Sequence, residues 1–231
     1  EKGEEEERLG KFLDLFVARS LTEKIWREGS PGGTTTALVH FLMDRGYVDA
    51  ALLTKGKHPD IKYCLHPEPY IASSPEEVLL SSHSKREISP VLSRLRELSE
   101  HGSSLFVGVP CNIMAFRKLQ IISKDNVLRN KMKGVAKTAE KLTENVKFAI
   151  SINCYLNHTS VDKIYEWAGV QEKDLQKFNE LVSKPLLEKA LAEGKDYRWF
   201  VDHSLVAKDR EVKFDVVRLG ELVLPSGCII C

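Results

Sequence analysis

The order of apolar and polar stretches predicts a chain in which strands and helices alternate. Mainly apolar runs, which are typical of buried strands, occur at residues 12–18, 48–53, 105–110 and 148–152, and the run at 105–110 is continuous. Apolar residues at helical spacing occur at residues 34–45, 90–101, 113–122 and 160–195, and Pro75 opens a further short helix. Because a glycine-rich turn, a helix and a strand follow one another at residues 29–53, we predict an α/β fold. Its central sheet is mostly parallel and flanked by helices.

Shorter alternating segments predict two strand pairs. Residues 63–65 and 70–72 would pair around a proline-containing turn. Residues 197–206 and 212–217 would form a smaller antiparallel β segment near the C-terminus. Residues 126–145 form a lysine-rich polar helix or loop, which is usually a solvated face; the alternative is a docking surface for an acidic partner.

Length and charge narrow the classes of function. The 231 residues carry 34 Lys and Arg against 33 Asp and Glu, and this net charge of +1 argues against a nucleic-acid partner. No apolar run approaches the roughly 20 residues of a membrane helix, so we expect no membrane span. The Glu-rich start is unlike a secretory signal and lacks an initiator Met. We therefore expect a processed terminus, an acidic tail or linker at residues 1–11, one α/β domain at 12–231, and a cytoplasmic location, including one peripheral to a membrane complex.

Five cysteines in a chain without a secretory signal favour metal, cluster or thiol chemistry over disulfides. Cys228 and Cys231 form a C-x-x-C pair, which can hold zinc, hold an iron–sulfur cluster or act as a redox dithiol. Cys111 and Cys154 each follow an apolar strand, at the edge of the sheet where sites of α/β proteins assemble. These four thiols predict an iron–sulfur site more readily than a zinc site, while each thiol alone is equally compatible with simple packing. Cys64 lacks this context and is expected to be structural.

The glycine-rich turn at residues 29–36 is a candidate anion site. Adjacent Gly32 and Gly33 permit close backbone approach, and the following helix N-terminus favours a phosphate. The alternative is a capped helix after a turn. A second polar segment, residues 81–86, carries three serines, a histidine and two cations, which suit a diphosphate or the negative charge of a reduced flavin; a solvated loop fits equally well.

The ordered set of these motifs resembles the β-subunit family of coenzyme F420-reducing hydrogenases and F420-dependent dehydrogenases. The resemblance extends from about Phe12 to Cys231. The matching stretches are Gly29-Ser30-Pro31-Gly32-Gly33, Thr36-Ala37-Leu38, Gly46-Tyr47-Val48-Asp49-Ala50, Ser84-Lys85, Val109-Pro110-Cys111-Asn112, Arg117-Lys118, Asn153-Cys154 and Gly227-Cys228-Ile229-Ile230-Cys231.

The resemblance implies a flavin and iron–sulfur oxidoreductase. Members bind FAD and one [4Fe–4S] cluster, move a hydride between coenzyme F420 and the flavin, and pass electrons singly to partner subunits. It implies that Cys111, Cys154, Cys228 and Cys231 are cluster ligands. It also implies that Ser30, Gly32, Gly33, Thr34 and Thr36 contact the FAD phosphates. Ser84 and Lys85 would lie near the isoalloxazine, with Lys85 as the candidate catalytic residue that stabilises the anionic reduced ring.

Partners implied by the resemblance are coenzyme F420 and other redox subunits of the hydrogenase, dehydrogenase or ferredoxin-like type. Family members continue beyond the position of Cys231, so we expect the domain to be truncated at its C-terminus. Two other functions fit the same sequence features: a ferredoxin-coupled flavin reductase of another organic substrate, and a non-catalytic interaction module held together by zinc.

Overall fold

A computed structural model of the chain describes residues 3, 11–29, 31–56, 63–64, 67–82, 84–85, 87–152, 154, 162–171, 174–181, 192 and 202–215. The strands are β1 (Ala50–Gly56), β2 (Tyr63–Cys64), β3 (Pro67–Ala72), β4 (Ser84–Lys85), β5 (Ser104–Gly108), β6 (Val146–Ser151), β7 (Leu175–Leu181), β8 (Asp202–Ala207) and β9 (Glu211–Asp215). The helices are α1 (Glu23–Glu28), α2 (Thr34–Asp44), α3 (Pro75–Val78), α4 (Leu95–Leu98), α5 (Pro110–Lys124), α6 (Asn126–Lys131), α7 (Lys133–Thr143) and α8 (Asp162–Ala168). Short 3-10 turns precede α2 and α4 and follow α3.

The central sheet has the strand order β3-β1-β5-β6. Strands β1, β5 and β6 are parallel, and β3 pairs with β1 antiparallel at one edge. The apolar runs predicted at residues 48–53, 105–110 and 148–152 supply these three parallel strands. β1 and β5 are mostly buried, as expected for strands covered on both faces, whereas the edge strand β6 is partly exposed. The predicted mostly parallel α/β sheet is confirmed.

Helices cover both faces of the sheet because successive residues of β1 point to opposite sides. Ala51 and Leu53 join one buried cluster with Val39, Leu42 and Met43 of α2. Ala50 and Leu52 join a second cluster with residues of α4 and α5. In that second cluster the rings of Phe106 and Phe116 lie 5.4 Å apart, which fixes α5 against β5.

A separate three-stranded sheet, β7-β8-β9, is antiparallel throughout. It confirms the smaller antiparallel segment expected near the C-terminus. The helix predicted over residues 160–195 is confirmed at α8, which ends before Gly169, whose φ is +62°, and is wrong at residues 175–181; residues 182–191 and 193–195 lie outside the described residues. Residues Leu175–Leu181 form β7 instead, because pairing with β8 outweighs the local helical spacing of their apolar positions.

The strand predicted at residues 12–18 is also wrong. This segment has no strand partner among the residues that the structure describes, and Phe16 and Val17 are almost fully exposed. A strand forms only where a neighbour accepts its backbone hydrogen bonds, which an apolar pattern alone does not supply.

The strand pair predicted from residues 63–65 and 70–72 is replaced by two other pairings. β3 adds to β1, with Leu53 opposite Tyr70, while β2 pairs in parallel with β4. The longer β1 offers β3 six paired positions, from Ala51↔Ala72 to Gly56↔Pro67, which a two-residue partner cannot match. Within the described ranges, none of the helices combines the length and the apolar character needed to cross a bilayer.

Candidate functional site

The register between β5 and β6 places Cys111 and Cys154 at the same edge of the sheet. Gly108, the last residue of β5, is paired with Ser151, the last residue of β6. Each cysteine follows its paired residue by three positions. Cys111 is exposed and Cys154 is half-buried. Two thiols that follow parallel neighbouring strands at equal distances lie where sites of α/β proteins assemble.

Gly108 lets the chain leave β5 and enter α5 without a spacer. A Cβ on Gly108 would lie 2.7 Å from the Phe106 ring and 3.0 Å from Cβ of Asn112. The strand end and the first turn of the helix therefore touch at a point where only glycine fits. This contact fixes the position of Cys111, one residue before Asn112.

The first turn of α5 carries Cys111 on its second residue. Pro110 occupies the first helical position, where its fixed φ suits the helix. The N-cap residue Val109 provides no side-chain hydrogen bond to the exposed amides of this turn. The positive end of the helix dipole is therefore available to a negatively charged group held by Cys111.

The other two predicted ligands, Cys228 and Cys231, lie outside the described residues, as does Asn153. In the part of the chain that the structure does describe, no three His, Cys, Asp or Glu side chains come together as a metal site. Cys64 is in β2, paired with Lys85 of β4, and its expected structural role stays a prediction.

The glycine-rich turn uses its glycines for its own packing. Gly32 and Gly33 have φ of +80° and +64°, which glycine adopts without strain. A Cβ on Gly33 would lie 2.5 Å from the carbonyl oxygen of Ile25 in α1. The protein itself fills the space that the missing side chains leave. Ser30 lies outside the described residues.

The exposed N-terminal segment anchors this turn. The Ser20 N–H donates to the Gly32 carbonyl at 2.7 Å, and the Thr34 hydroxyl donates to the Ala18 carbonyl at 2.9 Å. Thr34 thus has a structural hydrogen bond besides any ligand contact. Thr36 is buried on the face of α2 that packs on the sheet.

The N-terminus of α2 lacks a side-chain cap. Its N-cap residue is Gly33, and no side chain there accepts from the first helical amides. A helix N-terminus with unfilled backbone donors suits a phosphate. The donor set therefore fits the FAD phosphates expected from the sequence, although the two glycines are explained by packing alone.

Lys85 is held by the turn that precedes it. Its Nζ donates to the Ser82 carbonyl at 2.8 Å and also to the Ser81 carbonyl. The buried hydroxyl of Ser82 has no hydrogen-bond partner within the described ranges. An orphaned buried hydroxyl beside a fixed ammonium is a polar pair that a bound ligand can satisfy. Ser84 belongs to the same strand, β4.

The structure brings the predicted residues together in two groups built by different elements. The strand ends of β5 and β6 place Cys111 and Cys154 at the same edge of the sheet. The turn before α2 holds Gly32, Gly33 and Thr34 against residues 18–25.

Two residues that shape these groups were not singled out from the sequence: Gly108 and Ser20. Only Gly108 could have been noticed, as a glycine that interrupts an apolar strand.

Family models match both halves of the chain. The N-terminal model of the β subunit of coenzyme F420 hydrogenase/dehydrogenase matches residues 15–96, and the C-terminal model matches residues 102–231. The chain belongs to this family. It is therefore a relative of F420-linked redox subunits, as the ordered motifs suggested. The β-subunit family regions meet between α4 and β5, yet β1 and β5 from the two regions pair within one sheet.

Individual relatives of the β-subunit family match parts of the chain. The coenzyme F420 hydrogenase subunit beta of Methanosarcina barkeri is 31% identical over 121 residues, which cover 51% of this chain and 40% of that protein. The coenzyme F420-dependent sulfite reductase of Methanocaldococcus jannaschii is 34% identical over 112 residues, 48% of this chain and 17% of that enzyme. The chain thus spans less than half the length of these curated relatives.

A solved structure of the F420-reducing [NiFe] hydrogenase complex from Methanosarcina barkeri contains a chain with the same fold. The superposition has a TM-score of 0.62 at 16% sequence identity and covers 94% of this chain and 66% of that chain. At this identity, the match supports the fold of the β-subunit family.

Proposed function

We propose that this chain is an oxidoreductase subunit that couples hydride exchange with coenzyme F420, through bound FAD, to one-electron transfer through a [4Fe–4S] cluster. The observation that carries this proposal is the parallel register of β5 and β6, with Cys111 and Cys154 equally far beyond paired residues. When bound, flavin supplies two-electron hydride chemistry and the cluster supplies single-electron steps.

Three features support the cluster assignment. Thiolates are the ligands that iron–sulfur clusters use, and Cys111 and Cys154 follow adjacent strands. The C-x-x-C pair of Cys228 and Cys231 supplies the remaining two thiols from a distant part of the chain. The uncapped first turn of α5 favours the negative charge of a thiolate-bound cluster at Cys111. The cysteines would hold the cluster and set its distance from partner subunits.

The flavin assignment rests on the turn before α2 and on β4. The backbone donors at the N-terminus of α2, which begins at Thr34, suit the phosphates, while the Thr34 hydroxyl itself donates to the Ala18 carbonyl. Ser30, Gly32, Gly33 and Thr36 retain the phosphate-contact roles that the resemblance gives them. Lys85, with Ser84 beside it, would place a fixed positive charge near the ring. Since two carbonyls hold its ammonium, its proposed role is electrostatic stabilisation of the reduced flavin, not proton transfer.

The proposal is tested on anaerobically purified protein. We expect bound FAD that is released on denaturation and an EPR signal of a reduced [4Fe–4S] cluster. Reduced coenzyme F420 should bleach the flavin absorbance. A colourless protein with one equivalent of zinc would overturn the redox proposal in favour of an interaction module. If FAD is bound but reduced F420 leaves its absorbance unchanged, the hydride partner would be a compound other than F420.

A further inference from the structure

Four exposed lysines on α6 and α7 lack local compensation. Lys131, Lys133, Lys137 and Lys141 are all exposed, and none forms an ion pair with another residue in the described ranges. The whole chain has a net charge of only +1, so the run of lysines on this face is a local feature and does not follow from an overall basic composition. We refer to these four residues as the lysine surface.

Two acidic residues beside the lysine surface, Glu140 and Asp125, already have partners, whereas Glu144, three residues after Lys141, is exposed. Both guanidinium nitrogens of Arg129 bind the Glu140 carboxylate, at 3.2 and 2.9 Å, and Arg129 also donates to the Ser123 carbonyl at 3.0 Å. The Asp125 carboxylate accepts the Leu128 N–H at 2.8 Å and caps α6. Glu140 and Asp125 hold α6 in place and are not available to neutralise the lysines.

A groove of about 350 Å³ opens between α6 and α7, lined by Arg129, Asn130, Lys133, Lys137 and Glu140. Because Arg129 and Glu140 neutralise each other, the net charge of the lining comes from the two lysines. The Asn130 side chain adds an amide donor. This donor set suits a carboxylate, which accepts hydrogen bonds from ammonium and amide groups.

The lysine surface is too long for one small anion. Lys133, Lys137 and Lys141 recur every fourth residue, away from the buried Ala136 and Ala139, and span about 12 Å at 1.5 Å per residue. Exposed apolar side chains lie beside them: Val127 is 60% exposed, one helical turn before Lys131. Basic and apolar groups mixed over this length match a protein segment better than a free anion.

We propose that the lysine surface docks an acidic segment of a partner protein, with carboxylates on the lysines, one of them in the groove, and an apolar residue on Val127. Helix α5 separates this surface from the cysteine edge. Cys111 and Lys124 are about 20 Å apart along α5, and Arg129 is bonded at the far end, to Ser123. A partner bound there leaves the cysteine edge accessible. The inference goes beyond the proposed redox chemistry and does not depend on it.

The test measures binding of the full chain to a fluorescent acidic peptide in which glutamates alternate with leucines. The variant is Lys133→Glu with Lys137→Glu. The matched control is Lys147→Glu with Lys213→Glu, which reverses two exposed lysines on β6 and β9. A peptide with glutamine in place of glutamate tests the need for carboxylates. Far-UV circular dichroism verifies that each variant is folded.

We expect about tenfold weaker peptide binding by the groove variant and a change within about twofold for the control. Carbodiimide cross-links between the peptide and wild-type protein should map to Lys133, Lys137 or Lys141. Equal loss in both variants would show general charge attraction and overturn the proposal. Tight binding of the glutamine peptide, or displacement of the acidic peptide by duplex DNA at low concentration, would overturn it as well.

Discussion

The backbone carbonyl of Gly108 accepts a 3.0 Å hydrogen bond from the N–H of Ile152. This bond links the last residue of β5 to the residue that follows β6. The two segments that lead to Cys111 and Cys154 therefore leave the sheet side by side. The spacing of the two thiols depends on backbone geometry at the strand ends, so Gly108 is a positioning residue for the proposed cluster.

Replacing Gly108 with Ala should disturb both folding and iron binding. The new Cβ would lie 2.7 Å from the Phe106 ring and 3.0 Å from the Asn112 Cβ in the first turn of α5, which forces α5 away from β5. We expect a loss of about 1–3 kcal/mol in the free energy of unfolding, measured by urea denaturation, and a lower iron content. Gly134→Ala is the control: nothing lies within 4 Å of its Cβ position in α7, so stability should rise by about 1 kcal/mol. Unchanged iron content in folded Gly108→Ala protein would contradict the positioning role.

Replacing Gly33 with Ala should destabilise the turn before α2 for two reasons: the left-handed backbone is strained for alanine, and the new side chain meets a neighbouring atom. Its Cβ would lie 2.5 Å from the Ile25 carbonyl oxygen. Gly46→Ala is the matched control, since its φ of +68° is similar but its Cβ position is open. The control should lose about 1–2 kcal/mol in the free energy of unfolding and keep its FAD. Gly33→Ala should lose more of its free energy of unfolding and should release FAD. Similar losses in the two variants would show that backbone conformation alone accounts for the effect.

Single Cys-to-Ser changes should show that four of the five cysteines are needed for iron binding and that the fifth, Cys64, is not. Replacement of Cys111, Cys154, Cys228 or Cys231 removes a thiolate ligand and should abolish the EPR signal of the cluster while FAD remains bound. Cys64→Ser should retain full iron content. Iron loss in the Cys64 variant, or full iron content in any of the other four, would refute the proposed ligand set. Loss of both iron and FAD on changing Cys228 would place that residue in the folded core instead.

Replacing Lys85 with Met should make reduction of the flavin harder. The lost positive charge no longer stabilises the anionic reduced ring, so the two-electron potential should fall by about 20–40 mV, or ~1–2 kcal/mol. Lys55→Met is the control, since it also removes a lysine but one that is not among the proposed flavin residues: its ammonium lies 5.4 Å from the centre of the Tyr70 ring. Its flavin potential should stay unchanged. Spectroelectrochemistry measures both potentials. The same potential in Lys85→Met and wild-type protein would remove Lys85 from the flavin site.

The contribution of Tyr70 to stability should depend on pH. Burial is the main cause that raises the pKa of its phenol, and its hydroxyl donates to the Glu77 carbonyl at 2.7 Å. Because the folded pKa exceeds the unfolded value of about 10, the protonated phenol stabilises the fold fully below pH ~10. This stabilisation is lost as the pH rises further.

Tyr70→Phe should therefore cost about 1 kcal/mol in the free energy of unfolding at neutral pH. Above pH ~10 the difference from wild type should shrink. Parallel urea titrations at several pH values measure this difference, and a constant gap up to pH ~11 would show that Tyr70 is not the titrating group.

The sequence correctly predicted those strands whose apolar pattern matches their place in the folded sheet. The strands at 105–110 and 148–152 are mainly apolar and were predicted to belong to the sheet, and the cysteines that follow them were predicted to share an edge; the pattern did not show that β6 is the edge strand. The pairing of β3 with β1 was missed because strand partners are chosen between distant residues. The apolar pattern of residues 12–18 predicts a strand. In the structure, Ala18 at the end of this segment and the nearby Ser20 instead form hydrogen bonds with the glycine-rich turn. Short-range pattern contains no information about such contacts.

The hydrogen bonds between β1 and β5 join the two regions that separate family models describe. A cut between residues 96 and 102 would leave β1 with an unpaired edge and would divide the cluster of Leu52, Phe106 and Phe116. The two regions therefore form one cooperative folding unit. A break in the chain at this boundary would therefore produce two fragments that depend on each other for stability.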